Sequence, residues 1–416
     1  MITSTRNQFS YLIVTLAYWV FMLSDGALRM LVLLHFHLNG FSPLQLASLF
    51  LFYELAGIAT NVSAGWLAAK YGLKFTLYSG LSIQIIALYL LSQLDENFST
   101  SFSIFYVLIV QGLSGVAKDL TKMSSKSAVK LLTPDNDITL FRWVAILTGS
   151  KNTIKGFGFF VGCILLSTIG FYESLIIMAL IVSLVLVLCL ILLKNSFLSL
   201  KQKVGVSEVF SRSKNINFLS AARVFLFSAR DVWFVVALPI FFYGIFSDGS
   251  VDGNKKAFFI IGIFMASWVI LYGLIQANSP KLFFKNSEGS SNLIKELKKW
   301  GFYLFLNLLV LTILLIIFEK IIVFNITLFI GLLIFCGIFA INSSLHSYLI
   351  LNFSKKKTVT LDVGYYYMAN AAGRFIGTFL SGISYQLGGL TLSLTTACLL
   401  VVVCLFFTHH LSDMKY

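Results

Sequence analysis

An all-α membrane protein of twelve transmembrane helices in two six-helix halves is the fold class this sequence predicts, and three observations predict it. The 416 residues are 58% hydrophobic and only 12% charged, whereas a soluble domain carries roughly 25% charged residues. Windows of about 20 apolar residues recur about twelve times, each long enough to cross a hydrocarbon core about 30 Å thick at about 1.5 Å per residue. A polar stretch over 194–216 divides these windows six and six. With 15% aromatic residues and a mean hydropathy of +0.89, the chain has more apolar surface than a globular core hides. Disordered, collagen-like and disulfide-scaffold classes are excluded by the same figures.

The spans fall near 9–36, 43–69, 74–94, 101–127, 140–169 and 174–193 in a first half (1–193). After the link at 194–216 they fall near 217–246, 257–277, 300–318, 321–350, 362–386 and 390–411 in a second half (217–416). The first run is too long for a signal-peptide core and lacks a small-residue cleavage site, so it is read as an uncleaved span. Orientation follows from the loops, where seventeen Lys and Arg lie on one side and only Lys255, Lys256 and Lys320 on the other. The positive-inside rule then puts both termini and the 194–216 link in the cytoplasm, and the membrane is expected to be the inner one. That placement accounts for the net charge of +14 without a nucleic-acid partner.

Chemistry-bearing motifs are few. Cys163, Cys189, Cys336, Cys398 and Cys404 lie in apolar runs with no CxxC pair, so they read as small buried hydrophobes rather than metal ligands or disulfides. No HExxH, GxSxG or Walker sequence is present, and neither an enzyme nor a cofactor is expected. Gly156, Gly158 and Gly162 imitate a phosphate loop, but no strand precedes them and their spacing suits close helix packing in lipid. His35 and His37 mark the outer end of span one, and His409 and His410 the end of span twelve.

The informative residues are charges inside the spans. Eleven basic residues lie there: Arg29, Lys118, Lys122, Lys126, Lys130, Arg142, Lys151, Lys155, Arg223, Arg230 and Arg374. Four acids accompany them, Asp25, Glu54, Asp119 and Asp231, with Asp362 left at the mouth of span eleven. At about 2.5 to 3.5 kcal/mol each in the bilayer centre, eleven lipid-facing cations cost on the order of 30 kcal/mol, more than the roughly 5 to 15 kcal/mol net stability of a protein. They are therefore expected to face an aqueous or protein-lined interior.

Spacing agrees. Lys118, Lys122, Lys126 and Lys130 recur every four residues on one helical face, as do Lys151 and Lys155, while Asp25 and Arg29 are spaced to pair. Lys126 and Lys130 fit equally a solvated extension of span four, and Arg142 and Arg223 fit a role as anchors at span ends. If every acid pairs with one base, seven positive charges remain, and such a surplus attracts an anion with several charges.

Weak internal repetition is visible. Val20-Phe21-Met22-Leu23-Ser24-Asp25 in span one is echoed by Val224-Phe225-Leu226-Phe227-Ser228, then Ala229-Arg230-Asp231, in span seven. Lys155-Gly156-Phe157-Gly158 in span five is echoed by Arg374-Phe375-Ile376-Gly377 in span eleven. Both matches point to a parallel repeat about the membrane normal. Between spans two and three, Gly65-Trp66-Leu67-Ala68-Ala69-Lys70-Tyr71-Gly72-Leu73-Lys74 resembles the major facilitator loop signature, with Ala69 in place of its usual acid and Leu73 in place of a basic residue.

A closer resemblance is to the organoarsenical efflux permeases of that superfamily, the ArsJ family. It rests on Ser24-Asp25-Gly26-Ala27-Leu28-Arg29-Met30, Leu51-Phe52-Tyr53-Glu54, Gly115-Val116-Ala117-Lys118-Asp119-Leu120, the run Trp143 to Asn152, and Ser228-Ala229-Arg230-Asp231-Val232-Trp233. The C-terminal third contributes little beyond Arg374 and its glycine neighbours. The resemblance implies export of 1-arseno-3-phosphoglycerate, an ester with an anionic group at each end, conferring arsenate resistance. It also implies a functional link to the glycolytic dehydrogenase that makes that ester.

On this reading the halves rock in alternating access. Arg29, Lys118, Lys122, Lys151 and Lys155 bind one anionic end, and Arg230 and Arg374 the other. Asp25, Glu54, Asp119 and Asp231 serve as ion-pair partners or coupling groups for a proton or an anion counter-ion. An organic-phosphate or sugar-phosphate exchanger or importer fits the same charges, and a membrane enzyme acting on lipid phosphates, or a sensor, is a reading from another class.

Overall fold

A computed structural model describes residues 2–132, 137–193, 213–283, 290–318, 322–354 and 359–412, and among these every regular element is a helix. The first apolar window lies within α1 (Ile2–Leu38). The second is interrupted: α2 (Pro43–Ser48) starts with Pro43 at its first turn and a capping box in which the Ser42 hydroxyl accepts from the Gln45 N–H and the Gln45 side chain accepts from the Ser42 N–H. After a turn at Leu49 and Phe50 it resumes as α3 (Leu51–Tyr71). Gly72, at φ +90°, makes the tight reversal into α4 (Leu73–Ser92), a backbone angle that side-chain-bearing residues rarely adopt.

Then come α5 (Thr100–Leu132), α6 (Asp137–Thr168) and α7 (Phe171–Leu192). The seventh window is again broken, into α8 (Lys214–Phe234) and α9 (Ala237–Phe246). Pro239 has no N–H to return to the carbonyl of Val235, and the Ser381 hydroxyl accepts from the orphaned Val236 and Ala237 N–H groups at 3.3 and 3.2 Å. Last are α10 (Val251–Phe283), α11 (Ser290–Phe318), α12 (Ile322–Phe353) and α13 (Val359–His409).

Ten helices or helix pairs among the described residues are long and apolar enough to span a membrane. One of them, Asp362–His409, has 48 residues, about 72 Å of helix and more than twice the hydrocarbon core. It bends where Gly388 and Gly389 leave helical geometry, and so supplies two spans. With α6, whose apolar run carries Lys151 and Lys155, the twelve spans are accounted for. Several helices outrun their apolar windows; α11 begins ten residues before its window, on a charged turn where Glu296 pairs with Lys299 at 2.7 Å and accepts from Trp300. Large side chains such as Leu180, Leu184 and Ile191 on α7 are more than 60% exposed, as expected of a surface whose solvent is lipid.

The described residues form two compact units. One takes those of 1–39, 52–205 and 245–273, the other those of 40–51, 206–244 and 274–416. In the first, α1 packs on α6 through glycine: a methyl group on Gly26 would lie 2.5 Å from the Lys155 carbonyl, and one on Gly162 would lie 2.5 Å from that of Ala27. In the second, α8 packs on α13 in the same way, with a methyl on Gly377 only 2.8 Å from the Ser228 carbonyl. Small residues that let backbones approach are the usual device for joining helices in lipid. The spacing of Gly158 and Gly162 thus reflects packing.

Candidate functional site

In the first unit, α1, α3, α5 and α6 bring most of the predicted intramembrane charges into one connected cluster. Asp25 on α1 is 3% exposed and accepts from Lys155 on α6 at 2.5 Å and from the Tyr53 hydroxyl on α3. One turn on, Arg29 pairs with Glu54 of α3 at 2.8 Å, with both side chains buried. The Asp25 and Arg29 spacing had suggested a pair within α1. The partners found instead come from neighbouring spans, because close glycine packing carries Lys155 to Asp25 while Glu54 projects from α3 toward Arg29.

Tyr53 links these pairs. The Arg29 guanidinium lies 5.2 Å from its ring centre and the Lys118 ammonium 4.0 Å from it, within cation–π range. Among the described residues, Lys118 has no carboxylate within 4.0 Å. Its neighbour Asp119 accepts from Thr60 at 2.6 Å and from Lys122 at 3.3 Å, and Lys122 also donates to Asn61 at 2.7 Å. Lys151 stands half-buried one turn before Lys155 on α6. The side chains of Lys126, Lys130 and Arg142 lie outside those described.

In the second unit, Asp231 on α8 is fully buried between two arginines. Arg230 reaches it at 2.5 Å and Arg374, from α13, at 3.4 Å. The repeat seen in the sequence has a geometric counterpart here. In each unit an acid of one helix (Asp25, Asp231) pairs with a base of another (Lys155, Arg374), and that base stands three residues before a glycine (Gly158, Gly377) that packs against the acid's own helix.

Arg223, which fits a span-end anchor by sequence, is only 4% exposed and is held by neutral groups. Its Nε donates to Asn370 at 2.9 Å, its Nη1 to the carbonyl and hydroxyl of Ser343, and its guanidinium lies over the rings of Phe227 and Tyr366. Sequence reasoning missed both this arrangement and the central place of Tyr53. One signal was available: Arg223 and Arg230 are seven residues apart, two turns of one helical face. Among the described residues no three His, Cys, Asp or Glu side chains converge in a way that would hold a metal ion, and all five cysteines are free and buried.

No protein-family model matches the chain, and no curated protein sequence matches it. Solved structures do. The nucleoside transporter NupG superposes with a TM-score of 0.71 at 15% identity, over 97% of this chain and 98% of that one. Two POT family transporters, one bound to a thioalcohol-conjugated peptide and one to 5-aminolevulinic acid, give TM-scores of 0.72 and 0.73. Each is 15% identical, over 95% of this chain and 94% of the other. The chain has the fold of these transporters, the major facilitator fold. It is a multi-pass membrane protein, and its neighbours in structure are transporters rather than enzymes.

Proposed function

We propose that this protein exports a small organic polyanion by alternating access, and that its substrate is 1-arseno-3-phosphoglycerate. The observation that carries the reading is a surplus of positive charge among the buried and half-buried side chains within the spans. Of the intramembrane groups whose side chains are described, eight are basic (Arg29, Lys118, Lys122, Lys151, Lys155, Arg223, Arg230, Arg374) and four acidic (Asp25, Glu54, Asp119, Asp231). The surplus occurs in each unit. Buried charge without counter-charge is costly, and a transported anion offsets that cost while it is bound. Arginine grips a phosphate or arsenate oxygen pair with a planar fork, and lysine adds a mobile point charge.

In this proposal the chain lies in the inner membrane with both termini cytoplasmic, its halves being 1–193 and 217–416 joined by 194–216. A glycolytic dehydrogenase that accepts arsenate supplies the ester, arsenate resistance is the outcome, and a proton or an anion counter-ion couples the export. The resemblance of spans one to seven to organoarsenical permeases supports the choice of ester.

Transport into everted vesicles tests it. Vesicles with the wild-type chain are expected to accumulate the arsenate ester in preference to arsenate or glycerol phosphate, and Arg29→Gln or Arg374→Gln, at equal protein, to lower the rate at least tenfold (about 1.4 kcal/mol). Exchange of glycerol phosphate for inorganic phosphate with no ester uptake would replace the proposal with an exchanger. Wild-type rates in both variants would remove these arginines from the site.

A further inference from the structure

Among the described residues, the best-buried arginine of the second unit is the one without a carboxylate. Arg223, nine residues into α8, has only neutral partners: Asn370, Ser343 and two aromatic rings. These bonds engage Nε and Nη1 and leave Nη2 without a hydrogen-bond partner among the described residues. A guanidinium cannot shed its proton to escape burial, so its charge persists and calls for a counter-charge.

Two further groups beside it are buried and unpartnered. His346, one turn after Ser343 on α12, is fully buried with no hydrogen bond at either ring nitrogen, and it interacts electrostatically with Arg223. Ser220, one turn before Arg223 on α8, has a buried hydroxyl with no partner. Buried polar atoms are nearly always satisfied. Two groups of this kind beside one cation held by neutral partners, with no acid among them, define a site for an anion rather than for a cation or a proton.

The Arg230 and Asp231 pair lies close by but is electrically distinct. Arg223 and Arg230 both lie against the Phe227 ring, 4.0 Å and 4.6 Å from its centre, but Arg230 already has a carboxylate.

We infer that Arg223, His346, Ser343 and Ser220 form a binding site for one small inorganic oxyanion of the phosphate or arsenate type. The open edge of the guanidinium takes an oxygen, and an imidazole N–H and the hydroxyls donate to the others. A tetrahedral oxyanion has the acceptors that several converging donors require, which a spherical halide does not distinguish.

The site does not depend on the identity of an organic cargo, so its test is equilibrium binding of labelled inorganic phosphate to the full chain purified in detergent. One site per chain is expected, with arsenate competing and chloride competing at least tenfold less well. Arg223→Gln is expected to weaken binding roughly ten- to hundredfold, the worth of hydrogen bonds to a charged group, and His346→Gln several-fold. No phosphate binding by the wild-type chain, equal affinity in Arg223→Gln, or chloride competing as well as arsenate would overturn the inference. Should Arg223→Gln fail to fold, His346→Gln decides, and unchanged affinity there sinks the proposal.

Discussion

The two units place an acid and a base by the same rule and then compensate their charges differently. In the first unit each of the three carboxylates predicted inside the spans has its own cation: Asp25 has Lys155, Glu54 has Arg29, and Asp119 has Lys122. In the second, one carboxylate, Asp231, serves two arginines, and a third arginine has none. A shared helix-packing device thus fixes where charge sits, and the number of acids decides how much of it remains available. The first unit resembles a set of closed ion pairs with Lys118 left over. The second is electrically open.

The largest expected effect breaks this comparison at its narrowest point. Asp231→Asn removes the buried carboxylate that Arg230 and Arg374 share, and removing one partner of a buried pair costs about 3 to 5 kcal/mol. The loss should lie at the upper end of that range and show as a large fall in the thermal unfolding midpoint of the detergent-purified protein. Glu54→Gln should cost less, because Glu54 serves one arginine where Asp231 serves two. A greater loss in Glu54→Gln would reverse the contrast between the units.

Next is a double-mutant cycle. Replacing both Arg29 and Glu54 by Leu removes the stranded charge and should recover most of the stability lost in Glu54→Gln, since apolar replacement of a whole buried pair is often close to neutral. The matching change of Arg230 and Asp231 still takes from Arg374 its contact with Asp231, so less recovery is expected there. Equal recovery in both units would show that Arg374 does not depend on Asp231.

How much of this was legible beforehand depends on the kind of information each feature needs. Span positions follow from one-dimensional hydropathy, and each of the twelve windows is mostly helical where described. That the charges turn inward follows from the cost of exposing them to lipid. Partner choice does not follow, because it is set between helices: nothing near Arg29 in sequence points to Glu54, twenty-five residues away. Breaks within spans two and seven are local, yet only their prolines hint at them, and the seventh-span break falls four residues before Pro239, where the unpaired carbonyl lies. Arg223 misleads for a different reason. Its position near a span end is what an anchor would show, and only the neutral residues that α12 and α13 bring to it reveal the burial.

Smaller again is the effect of crowding the two glycine seams. Gly377→Ala places a methyl 2.8 Å from the Asp231 Cβ and the Ser228 carbonyl, and Gly158→Ala places one close against the Leu23 carbonyl and 3.2 Å from the Ala27 nitrogen. Overpacking of this sort costs about 1 to 3 kcal/mol. Because the Gly377 methyl presses on Asp231 itself, Gly377→Ala should also disturb the shared ion pair and slow transport more than Gly158→Ala at matched stability. Equal transport losses would separate the packing seam from the charge in the second unit.

The smallest effect tests the break between α8 and α9. Ser381→Ala removes the hydroxyl that accepts from the Val236 and Ala237 N–H groups, and losing a buried hydrogen-bond acceptor costs about 1 to 3 kcal/mol. These bonds, at 3.3 and 3.2 Å, are long, so the lower end applies, about 1 kcal/mol. Ser381→Thr keeps an acceptor and should recover part of the loss. The start of α2, in the same unit, offers the contrast: its cap comes from Ser42, inside the same segment, so a comparable alanine there leaves contacts to α13 in place. If Ser381→Ala leaves the unfolding midpoint unchanged, the kink in the seventh span is held by Pro239 alone and the tie from α13 contributes nothing to it.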